Sequence, residues 1–168
     1  MNDNNLPLKG LLIHAGMPKT GSTSLQNFLM SNQKALTARD VHYVTHGRKR
    51  RNISHNGLGR LLRSSSAGAV WEAIAAEMKA HPGAVSILSS ELLFENGIAD
   101  AMARHMPAAL RAQTRVIVYA RRQDAYLEAM YKQKTKNGRV NTTPEKFVAQ
   151  RGDALGDYAA ILDRFAEV

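Results

Sequence analysis

Short apolar runs alternate along this chain with longer stretches whose apolar residues recur at helical spacing. Three short apolar runs, Gly10–His14, Val85–Ser89 and Arg115–Ala120 with its Val116-Ile117-Val118 centre, read as buried parallel strands. Val41–Thr45 is a weaker fourth. Between and after them the spacing predicts helices over Ser22–Leu36, Leu58–Leu62, Ala67–Ala80, Ile98–His105, Gln123–Asn137, Pro144–Gln150 and Ala154–Phe165. The clearest is Ala67–Ala80, with Val70, Ile74 and Met78 on one face and His81-Pro82-Gly83 to end it. Trp71 and the methionines fall at core spacings. Strand and helix in alternation predict an α/β fold: a three-layer sandwich around a mostly parallel sheet. Ligands of such sheets collect at the carboxyl ends of the strands.

The most informative boundary follows the first strand. Leu11-Leu12-Ile13-His14-Ala15 runs into Gly16-Met17-Pro18-Lys19-Thr20-Gly21 and then into Ser22-Thr23-Ser24-Leu25-Gln26, where a helix begins. A strand, a tight Gly-bounded bend and a helix N-terminus aim several backbone N–H groups and a helix dipole at one point, which suits a phosphate. Gly16 and Gly21 stand five apart, as in a Walker A loop, but Ser22-Thr23 occupy the places where that motif has Lys and Ser or Thr. The lysine lies inside the bend, at 19. From there it serves a shorter anion whose reacting bond lies close to the loop. A bend built only for chain reversal and helix capping would need neither Lys19 nor so dense a run of Ser, Thr and Gly.

A second strand-turn-helix boundary, Ala120-Arg121-Arg122-Gln123-Asp124, places two arginines after the strand Val116–Tyr119. The arginine fork suits a phosphate, although pairing with Asp124 and Glu128 would also account for it. Two anion-directed turns in one sheet fit a ligand with two anionic ends.

The run Pro18-Lys19-Thr20-Gly21-Ser22-Thr23-Ser24-Leu25-Gln26 resembles the 5′-phosphosulfate loop of sulfotransferases that use 3′-phosphoadenosine 5′-phosphosulfate (PAPS), bacterial type, whose fold is P-loop-NTPase-like. The likeness extends to Arg121, at the family's 3′-phosphate Arg position, to Ser89-Ser90-Glu91-Leu92-Leu93-Phe94, and to Asp157–Phe165. Ala129 stands where the family has a Ser that also holds the 3′-phosphate. The resemblance implies that Pro18, Lys19, Thr20, Gly21, Ser22, Thr23, Ser24, Arg121 and the Ala129 position line a PAPS site, with PAP as product and no metal. It implies as well that the chain corresponds to the N-terminal part of a longer family member, with the sheet incomplete at its C-terminal side.

Sulfuryl transfer to a hydroxyl or amine is expected to run in line, with charge growing on the leaving phosphate oxygen. Lys19 is placed to neutralise that oxygen, and the hydroxyls of Thr20, Ser22 and Thr23 to add hydrogen bonds. For the acceptor's proton the first choice is Glu91, just past a central strand; capping a loop or pairing with an arginine is its other reading. The second choice is His55, in the polar stretch Asn52–Gly57, where a solvated loop histidine is the bland alternative. His14 reads as a packed strand residue with a local hydrogen bond.

Composition narrows the rest. At 168 residues the chain is expected to form one domain, 1–168, with room for a real core. It has no cysteine, which excludes disulfides, thiolate metal sites and a thiol nucleophile. The N-terminus lacks a basic-then-apolar leader pattern and no apolar run approaches a membrane span, so a cytoplasmic protein is expected. A net charge of +9 calls for an anionic partner. Arg48-Lys49-Arg50-Arg51 with Arg60 and Arg63 could form a channel for an acidic acceptor such as a sulfated or carboxylated glycan, or a solvated basic surface. Two other functions share some features. A P-loop nucleotide kinase or NTPase would want Lys followed by Ser or Thr directly after Gly21, where Ser22-Thr23 stand, and an acidic strand end for Mg²⁺. A nucleic-acid-binding protein would want more than 6% aromatic residues and a recognition motif; neither is found.

Overall fold

A computed structural model of the chain describes residues 9–48, 53–95, 97–166 and 168. Four strands, β1 (Gly10–His14), β2 (Val41–Tyr43), β3 (Val85–Ser89) and β4 (Thr114–Ile117), form one sheet in the order β2-β3-β1-β4. All three pairings are parallel, with Gly10 opposite Val85, Leu11 opposite Thr114 and Val41 opposite Val85. Parallel neighbours need long crossovers, and helices supply them. They are α1 (Ser22–Ser31), α2 (Gln33–Thr37), α3 (Leu58–Leu62), α4 (Ala67–Lys79), α5 (Ile98–His105) and α6 (Ala108–Arg111), followed after β4 by α7 (Gln123–Lys136), α8 (Pro144–Gly156) and α9 (Tyr158–Phe165). The expected α/β architecture, a parallel sheet flanked by helices, is the one observed.

Alternation along β1 buries Leu11 and Ile13 against Leu88 of β3, Leu58 and Leu62 of α3, Trp71 and Ile74 of α4, and Ile98 and Met102 of α5. Trp71 is fully enclosed, as its spacing predicted. Met30 is the exception among the described methionines. It is 38% exposed, its Sδ accepting from Arg48 Nη1 at 2.9 Å. At the far side of the sheet the edge strand β4 leaves Ile117 exposed.

Several boundaries moved for identifiable reasons. The helix expected over Ser22–Leu36 breaks at Asn32, whose backbone N–H and side-chain amide both donate to the Phe28 carbonyl, at 3.0 and 2.9 Å. An Asn that caps from its own side chain ends a helix readily. The expected strand Val41–Thr45 is shortened to Tyr43, because the N–H groups of Thr45 and His46 turn to the Glu77 carboxylate. Strand β4 starts one residue earlier than expected and its regular part stops at Ile117. The break expected near 151–153 falls instead at Asp157, whose carboxylate caps Ala160 N–H. Neither α6 nor the 3₁₀ turn Glu91–Phe94 had a signal in the apolar pattern.

Glu77, on α4, clamps the end of β2. Its carboxylate accepts from Thr45 N (2.6 Å), Thr45 Oγ1 (2.7 Å), His46 N (2.9 Å) and His42 Nε2 (2.8 Å). Burial alone would raise its pKa, but the hydrogen bonds from Thr45, His42 and His46 outweigh that and bring it down to about 2. A depressed carboxylate pKa adds stability that is complete above the ordinary glutamate range and lost as pH falls toward 2; the shift amounts to about 3 kcal/mol. Glu77→Gln should therefore cost roughly 2–3 kcal/mol at pH 7 and progressively less below pH 4.5. Urea midpoints measured for both proteins at pH 7 and pH 3 check this; an equal gap at the two pH values would show that the charge is not what stabilises the clamp.

Candidate functional site

The chain leaves β1 toward β2 and leaves β3 toward β4, in opposite directions along the sheet. Between the carboxyl ends of two such strands a crevice opens, because their following segments diverge. Here the crevice is bounded by the bend 16–21 after β1 and the turn Ser90–Phe94 after β3.

The bend is pinned on both sides. Ser90 N donates to the His14 carbonyl at 3.0 Å, while Ala15 N and Met17 N donate to Ile117 and Tyr119 carbonyls at 2.9 and 3.1 Å. Thr20 Oγ1 closes it internally onto the Met17 carbonyl at 2.6 Å. Gly16 has to lack a side chain, since a Cβ there would lie 2.3 Å from Ser22 Oγ and under 3.0 Å from the His14 ring. Gly21 caps α1 with φ +87°, and Lys19 also has positive φ, at 69°. A lysine held in the left-handed region is locally strained, and such strain concentrates at ligand-gripping sites.

Five consecutive backbone N–H groups, from Lys19 to Thr23, find no acceptor among the described residues. No acidic residue occupies the first turn of α1. Below them lies His14, 3% exposed, its Nδ1 at 2.8 Å from Ser89 Oγ and its Nε2 without a partner. Burial lowers the His14 pKa and favours the neutral ring. The site thus combines a run of backbone donors without acceptors, a small-residue cradle and a buried ring nitrogen without a partner among the described residues, features that an anion site would use.

The predicted residues divide within it. Pro18, Lys19, Thr20, Gly21, Ser22, Thr23 and Ser24 all belong to the bend or to the first turn of α1. The hydroxyls of Thr20 and Ser22 differ from expectation: the first is spent on Met17, and the second is buried 3.2 Å from Thr20 Oγ1. These two shape the loop, and the exposed Thr23 and Ser24 keep their hydroxyls outward. Glu91 opens the 3₁₀ turn beyond β3, half-buried and close enough to feel the Lys19 charge. Burial raises its carboxyl pKa, and the Lys19 ammonium partly offsets the rise. Arg121 reaches back to the same bend, its Nη1 donating to the Lys19 carbonyl at 3.0 Å. Sequence spacing could not announce that contact, which joins residues 102 positions apart.

The second turn is less open than expected. Arg122 forks onto Asp124 at 2.6 and 2.7 Å, and Asp124 also accepts from Ala125 N–H. Glu128 pairs with Lys132. Arg121 is left as that turn's one cation without a carboxylate partner among the described residues. Ala129, half-buried on α7, offers no polar side chain.

His55 is corrected. It sits in a loop, as expected, but the loop is tucked against the sheet and the ring is fully buried. Ser89 N donates to Nδ1 at 3.0 Å and Nε2 donates to the Val44 carbonyl at 2.8 Å. Burial lowers its pKa to about 4, against the opposing pull of the Val44 and Ser89 carbonyl oxygens. With both ring nitrogens committed to backbone, His55 has no atom left for an acceptor's proton. It fastens the loop to β3. Of the basic run, 49–51 fall outside the described residues. Arg48 is structural, lying 4.6 Å over the Tyr43 ring with Nε bonded to the Val44 carbonyl.

Two cavities frame this geometry. One of about 490 Å³ is lined by Asn56, Arg60, Arg63, Leu92 and Glu95, next to the Glu91 turn. A larger, mainly apolar one of about 730 Å³ lies at the amino ends of the strands, beside Gly10, Met78, Ala84 and Leu110, away from the bend. Size favours the second, but Lys19, Arg121 and Glu91 and the free N–H groups of the bend lie at the carboxyl edge.

Among the described residues no helix is long and apolar enough to cross a membrane. No family model, no curated protein and no solved structure matches the chain.

The depressed His55 pKa makes a direct prediction. Its contribution to stability should be complete above pH 6.5 and fall away as pH drops toward 4. Imidazole NMR shifts of His55 should stay at their neutral values down to about pH 5; a titration centred near 6.5 would mean that the ring is solvated.

Proposed function

We propose that this chain is a PAPS-dependent sulfotransferase domain, moving a sulfuryl group from PAPS to an acceptor hydroxyl or amine. The observation that carries the reading is the meeting, at one crevice, of five unsatisfied backbone N–H groups with Lys19, Arg121 and Glu91. The motif likeness of residues 18–26 supports the same chemistry.

In the proposed reaction the N–H groups of 19–23 hold the 5′-phosphate, and the N-terminal dipole of α1 favours its charge. Arg121 serves the second anionic end of the nucleotide. The acceptor oxygen attacks sulfur as the bond from sulfur to the bridging phosphate oxygen breaks. PAP leaves with that oxygen's negative charge, and the acceptor's proton passes to the Glu91 carboxylate. Lys19, at the crown of the bend, neutralises the departing oxygen. Stabilising charge that appears only in the transition state accelerates the step rather than merely binding substrate. A carboxylate held above its usual pKa is the stronger base for the proton.

Titration calorimetry with PAP tests the reading first. Binding without added metal is expected, and no binding would end the assignment. Lys19→Ala should then lower transfer by about 10²–10³-fold with the fold unchanged by circular dichroism. Glu91→Gln should lower it by roughly 10²-fold or more while PAP affinity stays the same. Ala129→Ser should tighten PAP binding if Arg121 faces the 3′-phosphate; an unchanged affinity would place that phosphate elsewhere.

A further inference from the structure

The cavity of about 490 Å³ beside the Glu91 turn has a charge pattern of its own. Its lining residues include two arginines, Arg60 and Arg63, and one carboxylate, Glu95. Arg63 Nη1 pairs with Glu95 Oε2 at 3.0 Å. The Arg60 guanidinium finds no acceptor among the described residues. One positive charge therefore remains uncompensated on the wall.

The cavity adjoins the reacting groups through two short links. Leu92 on its wall directly follows Glu91, and Asn56 on the same wall accepts from Ser90 Oγ at 2.6 Å. With its oxygen so engaged, Asn56 keeps its amide N–H groups for a ligand. Gly59 brings α3 close to the turn: a Cβ there would stand 3.5 Å from Leu92 Cβ and from the Leu92 carbonyl oxygen. Helix α3 thus holds Arg60 at a fixed place relative to Glu91. The volume lies within the range of small-molecule pockets.

Resting on the sulfotransferase reading, we infer that this cavity is the acceptor subsite and that it selects hydroxyl compounds carrying a carboxylate or sulfate. The anion lies on Arg60, Leu92 covers an apolar part of the molecule, Asn56 donates to a neighbouring oxygen, and the reacting hydroxyl faces Glu91. Arginine fits such an anion because its fork donates two parallel hydrogen bonds to carboxylate or sulfate oxygens. The remaining wall is compact and part apolar, which fits a single sugar-sized unit.

Two probes of nearly equal shape separate charge from size: 4-nitrophenyl β-D-glucuronide and 4-nitrophenyl β-D-glucoside, which differ in a carboxylate against a hydroxymethyl group. With PAP present, calorimetry should show the glucuronide binding at least tenfold tighter than the glucoside. Arg60→Gln should erase that preference and Arg60→Glu should reverse it, while PAP affinity in both variants equals that of the parent. Because Arg60 is exposed and has no partner among the described residues, neither change threatens the fold. Equal affinity for the two probes, no binding of either, or a preference that survives Arg60→Glu would overturn the subsite while PAP binding leaves the sulfotransferase reading standing. Loss of PAP binding in the parent chain would overturn both.

Discussion

The candidate site depends on hydrogen bonds that continue past the end of β1. Ser90 N on one side and the Ile117 and Tyr119 carbonyls on the other hold residues 14–17 after the regular ladder has stopped. A parallel strand with neighbours on both sides cannot fray at its end, so the bend that follows starts from a fixed point. Thr20 and Arg121 then tie its crown, the first to the Met17 carbonyl and the second to the Lys19 carbonyl. With the bend held this way, the five successive N–H groups of 19–23 find no acceptor among the described residues. Left to itself, so polar a loop would satisfy them internally.

That scaffold was largely legible in the residues. Leu11-Leu12-Ile13 and Val116-Ile117 read as strands because short apolar runs have few other places in an α/β fold, but β4 lies at the sheet edge with none of its residues buried, against the expectation of a buried strand. The bend was legible through Gly16, Gly21 and Lys19, whose types have separate local reasons to be there. What the sequence hid were partners far away along the chain. Nothing near Asn52–Gly57 shows that His55 would be enclosed, because its partners are backbone atoms of Val44 and Ser89. Arg121 gave the sign of its charge but not its grip on the Lys19 carbonyl. Arg122 carried the same charge, with pairing to Asp124 and Glu128 as its other reading. Only Asp124, two residues on, decides that it faces its own helix start instead.

Glu91 and His55 show how one environment sorts two candidate bases. Burial disfavours the charged form of each, raising a carboxylic acid and lowering an imidazole. For Glu91 the change strengthens a base that stays half exposed beside Lys19. For His55 it produces a neutral ring with both nitrogens bonded, a fastening for the sheet. Neither residue's immediate neighbours in the sequence announce this difference. Depth below the surface does.

The coupling between Lys19 and Glu91 carries a further consequence under the proposed reaction. With the bend empty, the ammonium holds the carboxyl pKa below the value that burial alone would give. An anion bound by Lys19 and the N–H groups of 19–23 cancels that field and adds negative charge nearby. The carboxylate then becomes a stronger base when the phosphosulfate is in place, and a weaker one after the anion departs. Because the two groups sit on loops that follow adjacent strands of one rigid sheet, this adjustment requires no movement of the backbone. The binding of one substrate thereby prepares the group that must deprotonate the other.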